Sequence, residues 1–139
     1  GEVVYFGTGP TKKGALYYLN TSGVWISASA VTTGSGHNQL LGIALGVGNP
    51  SDNGMLIRGF YNVDTYLSAA FVKGAPVYVC SGTVAAESVA FMSQTAPSPS
   101  SRAPGTGNSY VRVVGYGTNT TDVIYFNPSG TYVETQGEG

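Results

Sequence analysis

Charge is what this sequence has least of. Asp, Glu, Lys and Arg make up 9% of its 139 residues, against roughly 25% in an ordinary soluble domain. The formal net charge is -1. That excludes the basic footprint nucleic-acid binding needs, and equally an acidic tail. It also leaves little self-repulsion to keep copies of the chain apart. Cysteine is almost absent. Cys80 stands alone, so an internal disulfide framework is excluded. It lies in the apolar run Val77-Tyr-Val-Cys80 with no histidine or basic residue beside it, the expectation for a buried, inert thiol. No apolar run reaches the length of a membrane span, so membrane insertion is not expected. The chain opens on Gly1 without a signal-peptide pattern, as expected either of a trimmed chain or of a domain belonging to a longer one.

What is present is the grammar of short strands. Hydrophobic residues make up 42% of the chain, and 21 residues are glycine. The stretch that organises the rest is Val111 to Pro128, read as two strands around Asn119-Thr-Thr-Asp122. Asn and Asp suit that turn because their side chains bond nearby backbone and tolerate unusual φ. Alternation would put Val111, Val113 and Gly115 on one face and Arg112, Val114 and Tyr116 on the other. Pro128 lacks the N–H a ladder requires and stops the second strand. Earlier runs repeat the pattern: Glu2–Phe6, Ala15–Asn20, Val24–Ile26, Leu40–Gly46, Met55–Phe60 broken at Gly59, Val77–Cys80, and Thr83–Ala85 after a turn at Ser81-Gly82. Asn20-Thr-Ser-Gly23 is a hairpin signal. The continuous run Leu40–Gly46 predicts a strand buried on both faces. Gly48 to Gly54 reads as a turn region. Tyr61–Phe71 reads as strand and loop with one short helix. Residues 93–109, rich in Ser, Pro, Gly and Thr, read as an exposed loop within the domain. Gly130–Glu134 is a last strand. Roughly nine to eleven strands follow, in one all-β domain over residues 1–139: an antiparallel barrel or sandwich with at most one short helix.

The residues that carry chemistry are few and scattered. His37 is the only histidine and reads as a surface-loop residue, since no motif supplies a nucleophile and a carboxylate for a triad. One His and one Cys cannot build a zinc site alone. The carboxylates Glu2, Asp52, Asp64, Glu87, Asp122, Glu134 and Glu138 form no local calcium-loop pattern. Gly46-Val-Gly48, Gly105-Thr-Gly107 and Gly115-Tyr-Gly117 open no helix and read as turns or bulges. No catalytic residue, metal site or cofactor is assigned. Aromatics remain. Ten tyrosines stand against five phenylalanines and one tryptophan, and tyrosine suits interfaces and sugar faces. Turn-adjacent Tyr61, Tyr66, Tyr110 and Tyr132, with Trp25, are the expected exposed contacts for a ligand or an interface.

Several blocks in order carry a resemblance. They are Gly14-Ala-Leu-Tyr-Tyr-Leu-Asn20 with Gly23-Val-Trp25, Leu40–Gly46, Gly54-Met-Leu-Ile-Arg-Gly-Phe60, Lys73-Gly-Ala-Pro-Val-Tyr-Val79 with Ser81-Gly82, Thr95-Ala-Pro97, Val111–Tyr116, and Ile124-Tyr-Phe-Asn-Pro128. The set resembles a β domain of tailed-bacteriophage virion proteins, often the C-terminal domain of fibre-like chains. More loosely, it is similar to small capsid-decoration proteins. The resemblance implies a non-enzymatic virion part, oligomeric and often trimeric, that contacts itself, other virion proteins and, in a fibre, a host-surface glycan. A decoration protein would need an arm ordered only on the capsid, and Glu2–Thr8 is the candidate. A carbohydrate-binding module stacking sugars on Trp25 and the turn tyrosines is the reading from another class.

Overall fold

The computed structural model describes residues 1–30, 35–63, 66–68, 70–84, 89–94 and 108–136. Its strands are β1 (Glu2–Val4), β2 (Leu16–Leu19), β3 (Trp25–Ser27), β4 (Leu41–Ala44), β5 (Met55–Asn62), β6 (Leu67–Ser68), β7 (Pro76–Val84), β8 (Val89–Ser93), β9 (Asn108–Val111), β10 (Val113–Gly117), β11 (Val123–Phe126) and β12 (Val133–Gln136). Ten of them form one sheet in the order β3-β2-β4-β5-β11-β10-β7-β8-β6, with β1 also paired to β5; β9 and β12 form a separate pair. The sheet is curled into an antiparallel half-barrel. Among the described strands, β6 and β8 are the one parallel pair.

β5 joins the two halves. Its first residues pair with β4, as Ile43↔Leu56 and Ala44↔Met55, and with β1, as Val3↔Leu56 and Val4↔Met55. From Gly59 onward it pairs with β11, through Gly59↔Phe126, Phe60↔Tyr125, Tyr61↔Ile124 and Asn62↔Val123. Gly59 stands between the two pairings with φ 147°, a value side-chain-bearing residues rarely adopt. The expected break at Gly59 is therefore a change of partners within one continuous strand.

The two halves are covered differently. In the β2–β4–β5 half, successive residues feed opposite cores. Leu16, Ile43 and Leu56 join the larger core with Val77, Val79, Val114, Ile124 and Phe126. Their neighbours Tyr17, Ala44 and Met55 join a second core with Ala15, Trp25 and Tyr66. The segment before β2 is laid over this outer core: Gly14 N–H donates to the Ala44 carbonyl at 2.8 Å, and the Thr11 hydroxyl donates to the Gly46 and Gly48 carbonyls at 3.1 and 3.0 Å. β4 is buried along its whole length, which is why Leu40–Gly46 reads as an unbroken apolar run. Burying each large side chain contributes about 1.5–3 kcal/mol. In the β5–β11–β10 half only the inner face is covered, by Ile124, Phe126 and Val114.

Both hairpins expected from turn chemistry are present. The Asn20 side-chain oxygen accepts from the Ser22 and Val24 amides, each at 2.9 Å, closing β2 onto β3. Asp122 takes φ 66° in the turn between β10 and β11. Other expectations need correction. The helix lies at Pro50–Asn53 (α1), inside the expected turn, with Asn49 as N-cap and Pro50 in its first turn. Within 61–71, Tyr66 ends a 3₁₀ turn, its amide donating to the Val63 carbonyl at 2.9 Å, so the short helix expected there is present as that turn. β7 runs straight through Ser81-Gly82, because a register shift between Val79 and Thr83 absorbs the irregularity against β8. Ser93 ends β8 and Asn108 begins β9, so the ends of the expected 93–109 loop are strand; residues 95–107 and the Cys80 side chain lie outside the described residues. The supposed arm is already paired: Glu2–Val4 is β1 and Thr8 bridges to Val24.

The alternation expected from Val111 onward also fails, and Gly115 shows why. Arg112 and Val114 are buried as one face requires, but Tyr116 is half exposed while Gly115 is buried. The pairing with β7 slips between Val113 and Gly115, and this bulge turns Tyr116 outward. A Cβ at Gly115 would collide with the Tyr125 carbonyl oxygen and crowd Phe126 Cα at 3.2 Å. Because these are backbone atoms of a central strand, Gly115→Ala is expected to cost about 1–3 kcal/mol. Urea unfolding of the variant measures this; an unchanged midpoint would show that the strand simply moves aside.

Candidate interaction surface

Of the five aromatics expected to be exposed, three are buried. Trp25 is 2% exposed, Tyr66 5% and Tyr110 0%. The cause is amphipathic: each ring fills a core while its polar atom finds a backbone partner or a neighbouring polar group. The Trp25 indole N–H donates to the Phe6 carbonyl at 2.9 Å, and Phe6 stacks on the indole with centroids 6.2 Å apart. The Tyr110 hydroxyl donates to the Ser35 carbonyl at 2.9 Å. Tyr61 and Tyr132 are half-buried against the larger core. Tyr61 and Tyr66 do meet, with Lys13, Gly14 and Asn62, around a notch of ≈ 180 Å³. Burial raises the Tyr61 phenol above its ordinary pKa.

Tyr110 and Tyr132 converge on His37. The imidazole meets Tyr132 edge-on at 4.8 Å and lies 6.0 Å from the Tyr110 ring. His37 is thus a half-buried packing residue, not the expected surface-loop one. Arg112 holds its loop. Arg112 is 7% exposed; its Nη1 donates to the Gly36 and Gln39 carbonyls at 2.9 and 2.7 Å, and its Nε donates to the Ser129 carbonyl at 2.8 Å. Burial lowers the Arg112 pKa, and the nearby Tyr110 phenol partly opposes this.

The exposed aromatics are others. Phe60 is 68% exposed and Tyr116 50%. Phe60 pairs across the strands with Tyr125, Tyr125 with Tyr116, and Tyr116 with Pro76. Directly paired residues project to the same face, so these four form a ladder over β5, β11, β10 and β7 on the uncovered side. The Phe60 and Tyr125 rings are 5.2 Å apart and inclined at 44°. Beside them lies an open depression of ≈ 570 Å³ bounded by Gly1, Glu2, Arg58, Gly59, Phe60 and Tyr125. Arg58 and Glu2 face each other across 3.9 Å with side chains 57% and 58% exposed. No sequence pattern marks the ladder, because its members are far apart in the chain and meet only through strand register.

A second apolar zone lies at the sheet edge formed by β3. A groove of ≈ 450 Å³ runs between Pro10, Lys12, Val24, Ile26 and Val47, with Trp25 and Tyr17 in its wall. Ile26 is 39% exposed, Phe6 44% and Val47 79%. Among the described residues no group of three or more His, Cys, Asp or Glu side chains could hold a metal ion, and no helix is long and apolar enough to cross a membrane. No family model matches the chain, and neither a curated protein nor a solved structure matches it.

The Tyr110 phenol sits well above its ordinary pKa, chiefly because burial penalises the phenolate; the Arg112 cation opposes this and Tyr18 adds to it. An acid raised in the folded state keeps its proton after the unfolded chain has lost it, so stability falls as pH climbs above about 10. Tyr110→Phe is expected to cost about 1 kcal/mol at neutral pH through the lost bond to Ser35 and to flatten the alkaline loss. Urea midpoints at neutral and strongly alkaline pH check both; a variant as alkali-sensitive as the parent would remove Tyr110 as the cause.

Proposed function

We propose that the chain is a structural β module of a bacteriophage virion, of the fibre type, that assembles with copies of itself, contacts other virion proteins and contributes to host-surface attachment. The order of sequence blocks suggests that setting. The observation that carries the docking role is the surface. Tyr5, Phe6, Ile26, Leu40, Val47, Phe60, Val72, Tyr116 and Val133 are all exposed on a chain with six basic and seven acidic residues. Glu2 and Arg58 face each other as an exposed ion pair. Exposed apolar groups that touch one another mark contact surfaces. Here Phe6 stacks on Trp25, which walls the groove carrying Ile26 and Val47. The zone lies on the last strand of the sheet, whose start is met by Thr8 at Gly23 and Trp25 while Ile26 and Val47 remain exposed; sheet edges are ready sites for pairing. The reading takes this edge as the contact between copies.

Sedimentation or mass photometry at micromolar concentration tests the assembly. A discrete oligomer, a trimer by preference, is expected. The double variant Ile26→Lys/Val47→Lys should dissociate it at unchanged circular dichroism, since both side chains already reach solvent. Wild-type protein that stays monomeric throughout would defeat the proposal.

A further inference from the structure

The outer ladder differs from the β3 edge in a way that points to another kind of partner. At the β3 edge the groove wall is mostly apolar, and Lys12 is its only charged residue. At the ladder, the exposed ring of Phe60 and the half-buried ring of Tyr125 stand beside a cation and an anion, Arg58 and Glu2. Neither pair is explained by stability. Phe60 is 68% exposed, so it adds little to the core. An ion pair with both side chains more than half exposed contributes next to nothing. In a chain with so few charges, placing one of each sign beside a bare Phe60 ring and the half-buried Tyr125 ring needs another account.

We propose that this depression binds a pyranose sugar of an oligosaccharide, and so supplies the attachment contact of the function proposed above, on which the inference rests. A pyranose ring has an apolar C–H face and a rim of hydroxyls. The first requires an aromatic face reachable from solvent, as Phe60 and Tyr125 provide. The second requires donors and acceptors side by side. Arg58 offers only donors and Glu2 only acceptors, and bonds to ionised groups are the stronger kind. Gly59, between Arg58 and Phe60, puts no side chain over the floor. Tyr116 extends the platform: strands lie about 4.8 Å apart, so the rings of Tyr116, Tyr125 and Phe60 span about 10 Å, room for more than one sugar residue. The covering segment that shields the β2–β4–β5 half stops short of this face. A protein partner would ask instead for a drier, less charged patch, which the β3 edge provides.

The test is a titration of the ¹⁵N-labelled full chain with maltotriose, N-acetylchitotriose and a trigalacturonate, followed by amide shifts. Saturable shifts centred on Gly59, Phe60 and Tyr125 are expected with at least one of the three. Phe60→Ala and Tyr125→Ala should each weaken binding about tenfold or more while leaving unfolding midpoints nearly unchanged, Phe60→Ala especially. Ile26→Lys/Val47→Lys should not affect it. Three outcomes overturn the proposal: no shift with any of the three sugars, shifts that survive both alanine substitutions, or a Phe60→Ala change that dissolves the oligomer instead. If no sugar binds but the oligomer forms, the sugar site falls and the structural-module reading stands. If sugar binds to a monomer, the reverse holds.

Discussion

Arg112 carries a positive charge into a site 7% exposed and meets three backbone carbonyls there. Moving an ion out of water is costly unless its donors are used, and this arrangement uses them on two segments remote in sequence. The loop of Gly36 to Gln39 and the chain at Ser129 are tied to the point where β9 hands over to β10. The backbone of Arg112 contributes as well, its carbonyl accepting from the Val79 amide at 3.3 Å. Around this tie Tyr110 closes over Ser35 and His37 packs on Tyr132. Lysine could not replace it, since one ammonium lacks the planar fork that reaches both sides.

The second constraint is the change of partners along β5 at Gly59. Before Gly59 the sheet is buried on both faces; after it, one face is bare. The covered half therefore supplies rigidity, and the bare half presents side chains to solvent from strands whose inner face is fully packed. Groups mounted on such strands keep their spacing better than groups on loops. The aromatic ladder, the Arg58–Glu2 pair and the β3 edge all take their positions from these two halves.

Local chemistry made much of this fold legible in the sequence. Asn20-Thr-Ser-Gly23 and Asn119-Thr-Thr-Asp122 specify their turns through side-chain bonds and backbone angles a few residues wide. Leu40–Gly46 announces double burial by having no polar face. Even α1 had a readable signal in Asn49-Pro50 followed by Gly54, hidden within a stretch that equally suits a turn. What stayed illegible depends on register. The outward turn of Tyr116 follows from a slip against β7, and the pairing of β9 with β12 closes over some twenty residues. The burial of Trp25 needs a segment from elsewhere to fold over it. The exposed Phe60 and Tyr116 sit within strands, and the turn-adjacent aromatics singled out for exposure are mostly plugs, the reverse of what local pattern suggests.

The pairing of β1 with β5 has a mechanical side. Tension entering at Glu2 is delivered to the strand both halves share, not to an outer edge that could peel away. A pull along that axis loads the ladder bonds of β1 together, so the module should resist stretching until they part in one event. Under the function proposed above, such a unit would take its load through the middle of the sheet.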